Sequence, residues 1–96
     1  MTEKVSGLAT EQKHYQKAAM QPIEVMQALM NHEQFLGFLM GNVIKYRMRA
    51  KYKGTTEQDR EKARQYMYWY RIAANGHEVS PENDIPPENW DGDVFY

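Results

Sequence analysis

The sequence predicts an all-α fold: a compact bundle of three main helices with an irregular acidic, aromatic C-terminal tail, assembled as an oligomer. Three observations lead there. Apolar residues recur at helical spacing through the middle of the chain. Start and stop signals divide that stretch into three. One short segment is too aromatic all round for a single core-facing side.

The first twelve residues are polar and unpatterned, which predicts a loose arm. Pro22 suits the first turn of a helix, because its missing N–H would have had no helical partner. Ile23, Met26 and Met30, with Val25 and Leu29, then supply apolar positions through about Asn31. A second helix is expected from about Glu33 to Lys53, ending at Gly54 as C-terminal cap. Thr56 followed by Asp59 resembles a capping box, with Asp in place of Glu or Gln, and starts a third helix. That helix runs to Asn75-Gly76, a stop signal. The spacings leave no room for strands.

Ninety-six residues suffice for one modest core and not for two. The expected organisation is an arm at 1–12, a helical domain at 13–77 and a tail at 78–96. The tail contains Pro81, Pro86 and Pro87 and cannot be regular helix. It also carries Ile85, Trp90, Val94, Phe95 and Tyr96, so packing on the body or on a neighbouring subunit is expected. On the third helix Tyr66, Met67, Tyr68, Trp69 and Tyr70 point in all directions. Their cover must come from a second subunit or from the tail.

Absence of cysteine excludes disulfides and thiolate metal sites and suits a reducing cytoplasm. No run approaches membrane-spanning length, and the N-terminal residues lack the apolar core of an export signal. The charge is asymmetric beneath a net −1. All 12 Lys and Arg lie at or before Arg71 with only 7 of the 13 acids, so residues 1–77 carry +5. The remaining 6 acids lie in 78–96 without a base. A basic body suits an anionic partner, and a solvated mixed surface has the same composition.

The residues able to carry chemistry cluster between Gly41 and Lys53. At about 100° per residue with Asn42 at zero, Lys45 falls near 300°, Arg49 near 340°, Tyr46 near 40° and Lys53 near 20°. Met40, Ile44 and Met48 take the opposite side. The polar arc offers cationic donors for phosphate, an amide for a base or ribose edge, and an aromatic face for stacking. The same spacing describes a solvated cationic face near a helix C-terminus. His14 and Tyr15, ahead of the first helix, can bind phosphate and stack on a purine, or merely plug the core. Asp59, Lys62 and Tyr66 share one face of the third helix, as a binding face or as an Asp–Lys pair beside a core tyrosine.

Other chemistries lack their residues. No Gly-rich loop ends in Lys-Ser/Thr, so no P-loop is present. His14, His32 and His77 lack metal-ligand spacing, and no carboxylate cluster suits magnesium. Neither a metal site nor a cofactor is expected, and no catalytic residue is assigned.

The set His14-Tyr15, Pro22-Ile23-Glu24-Val25, Gly41-Asn42, Lys45-Tyr46, Arg49-Ala50, Lys53, Asp59, Lys62-Ala63 and Tyr66 resembles the SaV-like bacteriophage family. That family includes a nucleotide kinase of short-tailed coliphages. The resemblance spans about residues 13–70 and departs from the family at Lys51 and Gln65. It implies a phage gene acting in the cytoplasm of an infected bacterium, an oligomeric all-helical fold and a nucleotide ligand. Its implied nucleotide-binding residues are His14, Tyr15, Asn42, Lys45, Tyr46, Arg49 and Lys62, to which the polar arc adds Lys53. Two activities follow. One is sequestration, without cleavage, of a host nucleotide immune signal of cyclic dinucleotide or cyclic ADP-ribose type. The other is phosphorylation of deoxynucleoside monophosphates. Phosphoryl transfer must hold donor and acceptor in line, usually with a metal, so a non-enzymatic role is preferred. The expected partners are a small nucleotide and further copies of the chain, without a membrane, DNA or RNA.

Overall fold

A computed structural model describes residues 20–52 and 56–90 of the chain. It contains α1 (Pro22–Leu29), α2 (His32–Tyr52) and α3 (Thr56–Ala74), with no strand among the described residues.

Helix α1 is two turns long and begins at Pro22, as its missing N–H predicts. The Gln21 N–H donates to Glu24 Oε1 at 2.8 Å, fixing the entry. The helix stops at Met30, whose backbone is extended. One residue later Asn31 starts α2 with a reciprocal capping box. The Gln34 N–H donates to Asn31 Oδ1 at 2.8 Å, and the Asn31 N–H donates to Gln34 Oε1 at 3.0 Å. Helix α2 therefore begins at His32, one residue ahead of the expected Glu33. Its expected end at Lys53 and Gly54 lies outside the described residues.

Helices α2 and α3 form an antiparallel hairpin. Arg49 meets Asp59 near the connection, Tyr46 meets Tyr66 further along, and Phe35 and Ala73 share a cluster at the far end. Phe35, Leu39, Val43 and Ala50 line the buried stripe of α2, and Asp59, Ala63, Met67 and Ala73 that of α3. Both stripes recur mainly at four-residue steps, and the alanines let the axes approach. Ile23 of α1 and Val79 complete the core around Leu39.

The structure corrects which side of α2 is core. Ile44 and Met48, the expected apolar flank, are 46% and 53% exposed, while Tyr46 is partly buried against α3. Asp59 is likewise no ordinary surface cap. It is 1% exposed and pairs with Arg49, and the Thr56 hydroxyl donates to the Ala50 carbonyl at 3.1 Å.

Helix α3 ends in a Schellman motif. Gly76, at φ +85°, sends its N–H to the Ala73 carbonyl (2.9 Å), and His77 sends its own to Ile72 (3.1 Å). The chain then turns back along α3. Val79 is 4% exposed and is gripped by the Gln27 amide, which accepts from its N–H at 2.7 Å and donates to its carbonyl at 3.0 Å. The Asp84 carbonyl accepts from Trp69 Nε1 at 3.0 Å and from Gln65 Nε2 at 2.9 Å. Arg64 donates to the carbonyls of Pro87, Glu88 and Trp90, and Tyr68 meets Trp90 edge-on with centroids 5.0 Å apart. The described tail is thus a strap along α3, and it reaches Tyr68 and Trp69 of the Tyr66–Tyr70 girdle from within the chain. Val94, Phe95 and Tyr96 lie outside the described residues.

Arg64 is the strap's main anchor, because one guanidinium fork serves three carbonyls. Arg64→Ala is expected to lower stability by about 1.5–3 kcal/mol in urea denaturation. Arg64→Lys recovers only part of it, since a single ammonium cannot reproduce the fork. An unchanged midpoint for Arg64→Ala would show that the Gln27, Gln65 and Trp69 hydrogen bonds and the Tyr68–Trp90 contact hold the strap without it.

Candidate nucleotide site

The antiparallel hairpin brings the cationic arc of α2 against the Asp59–Lys62–Tyr66 face of α3. At their meeting point the Tyr46 and Tyr66 rings stack, with centroids 5.8 Å apart and planes 9° from parallel. Tyr66 is held from two further sides. Phe38 meets it edge-on at 6.1 Å and Trp69 at 5.4 Å. Burial, and then the neighbouring Tyr46 phenol, push the Tyr66 hydroxyl above the usual tyrosine range, so it stays neutral well into alkaline solution. The result is a packed aromatic floor between the helices.

Two ammonium groups gather over this floor from different helices. Lys45 Nζ lies 4.7 Å from the Tyr46 ring centroid and Lys62 Nζ lies 5.3 Å from it, so the two charges are at most 10.0 Å apart. Local geometry explains both. Lys45 precedes Tyr46 and folds its stem over the neighbouring ring, and Lys62 sits one turn before Tyr66 on the face that meets α2. Each cation–π contact contributes about 0.5–1 kcal/mol at an exposed site. That attraction places both ammonium groups against one ring despite their like charge.

The remaining candidates divide. Arg49 lies at the α2–α3 contact, with Nε 3.6 Å from Asp59 Oδ1 and half of its side chain exposed. Its guanidinium therefore borders the site while balancing a buried carboxylate. Asn42 sends Nδ2 to the Phe38 carbonyl at 3.0 Å, one turn back on its own helix, which ties its amide donor to the backbone. Tyr46 does not present an open stacking face, because Tyr66 and the two lysines already pack on it. His14, Tyr15 and Lys53 lie outside the described residues. The platform role of Tyr66 and the pairing of Asp59 with Arg49 were not read from sequence. Their signal was the three-residue face on α3, legible only once its register against α2 is known.

The site can meet an anion with two point charges and the exposed part of one guanidinium over a packed aromatic floor. Asp59, the carboxylate at its edge, is sealed by burial and by Arg49. Among the described residues no group of three His, Cys, Asp or Glu side chains is placed to hold a metal ion. No helix there is long and apolar enough to cross a membrane.

The sequence pattern of DUF3310, a family described as being of unknown function, matches residues 9–68. The match takes in α1, α2, most of α3 and every candidate residue, and it stops before the strap. No curated protein and no solved structure matches the chain.

Proposed function

The chain belongs to the DUF3310 family, and from its own residues we propose that it binds a phosphate-bearing nucleotide and holds it without turnover. The observation that carries the reading is the convergence of Lys45 and Lys62 on the Tyr46 ring. Two like charges drawn together over an apolar floor are relieved by an anion placed between them. Lysine meets phosphate as a strong point charge, and Arg49 adds a directional donor at the edge. His14, Tyr15 and Lys53 remain part of the proposed binding set, with Asn42 as an orienting group.

The ligand class we favour is a cyclic dinucleotide or a cyclic ADP-ribose-type messenger. Such ligands carry phosphates that can engage the separate cations. In the phage setting implied by the resemblance, tight retention would withdraw such a signal from the host. Retention needs only binding, whereas transfer needs a donor and an acceptor held in line. The groups gathered at this site supply charge, and the nearby carboxylate is committed to Arg49.

The test is incubation with cyclic messengers, and separately with ATP, each deoxynucleoside monophosphate and magnesium, followed by chromatography. The messenger is expected to leave the free pool and to return intact on heat denaturation, with no diphosphate formed. Many turnovers of nucleoside diphosphate per chain would instead establish the kinase activity.

A further inference from the structure

The outward face of α2 is an apolar stripe that nothing in the described chain covers. Ile44, Met48 and Tyr52 follow one another at four-residue steps and are 46%, 53% and 72% exposed. Gly37 and Gly41 lie on the same stripe, within about 60° of Ile44 at 100° per residue. A Cβ built on either glycine meets nothing within 4 Å. Glycine in a helix interior is unfavourable, so two on one exposed face call for a reason outside the isolated chain. Bare backbone there lets another helix approach more closely than side chains otherwise allow.

We infer that this face of α2 binds the same face of a second copy, with the two α2 helices antiparallel. Two features of the stripe favour that occupant. The first is shape. When a residue numbered i faces one numbered 85 − i, Ile44 of each copy falls on the partner's Gly41, and Met48 on the partner's Gly37. Each bulky side chain then enters a notch left by a missing one. The second is charge. Glu33 near the start of α2 and Lys51 near its end share one angular position, eighteen residues apart. The antiparallel register sets Glu33 of one copy beside Lys51 of the other at both ends, whereas a parallel pair sets like against like. Such an interface is self-complementary, as a twofold dimer requires. The inference does not use the nucleotide reading: the stripe lies on the side of α2 away from Tyr66, with Lys45 at its margin.

The test uses the full chain and begins with sedimentation and light scattering. The wild type is expected to have twice the mass of one chain, or an even multiple of it. Gly41→Gln should halve the assembly while leaving the single chain helical and at least as stable, since a Cβ there meets nothing within 4 Å and glutamine favours the helix over glycine. Glu33→Lys should weaken association, and Glu33→Lys combined with Lys51→Glu should restore it. The chain has no native cysteine, so Gly37→Cys with Met48→Cys should give a cross-linked dimer that neither single variant forms. A monomeric wild type, association indifferent to Gly41→Gln, or cross-linking by Met48→Cys alone would each overturn the inference.

Discussion

Replacing both Lys45 and Lys62 with alanine is expected to lower affinity for a cyclic dinucleotide by on the order of a hundredfold or more. Each lysine contributes a charge-assisted hydrogen bond of about 1.5–3 kcal/mol when phosphate sits between them. Removing one cation lets the anion shift toward the other, so each single variant understates its lysine, and at least about 3 kcal/mol is expected for the pair. Both side chains are exposed, and alanine favours the helix, so the thermal transition should move little. Isothermal calorimetry at two salt concentrations measures the effect. Lys45→Arg with Lys62→Arg keeps the charge and should retain much of the binding. Undiminished affinity in the double alanine variant would mean that the paired ammonium groups only cover the aromatic floor.

The largest stability effect is expected at Leu39. Its side chain is 0% exposed and packs among Ile23, Phe35, Ala73 and Val79, where α1, α2, α3 and the strap meet. Leu39→Ala removes apolar contacts to all four elements at once and leaves a cavity that a helix-bound scaffold cannot collapse. The expected cost is about 2.7–5.0 kcal/mol. A domain of this size has a total stability of about 5–14 kcal/mol at typical per-residue values. The variant should therefore be partly unfolded near physiological temperature. Leu29, 80% exposed on α1, supplies the comparison: Leu29→Ala should stay within about 0.5 kcal/mol. Equal urea midpoints for the two variants would contradict the packing described for this core.

Some features were legible because their physics is local. Pro22 starts a helix through its own missing donor, and Asn75-Gly76 ends one through the positive φ that glycine accepts. The Asn31–Gln34 capping box is as local as these and sets the start of α2 at His32. The Tyr66–Tyr70 girdle called for cover from elsewhere, and the described tail reaches Tyr68 and Trp69 of it. It did not say whose, because a strap and a subunit bury the same rings.

The candidate site was legible in its parts and not in its arrangement. Lys45, Tyr46 and Arg49 share a helix face by the arithmetic of 3.6 residues per turn, whatever surrounds them. Whether that face looks outward or inward depends on which flank meets α3. Tyr46 went inward because its ring could stack on Tyr66, while Ile44 and Met48, more apolar by residue type, were left outside. The same register turned Asp59 from a cap residue into the buried partner of Arg49. By itself, then, the sequence determined the three helices, the starts of α1 and α3, the stop of α3 and the cationic arc, since those depend on residues within a turn or two of one another. Only the tertiary structure decided the buried flank of α2, the meeting of Lys45 with Lys62 and the path of the strap. Those depend on contacts between residues far apart in the chain, where several pairings satisfy the same pattern and packing selects one.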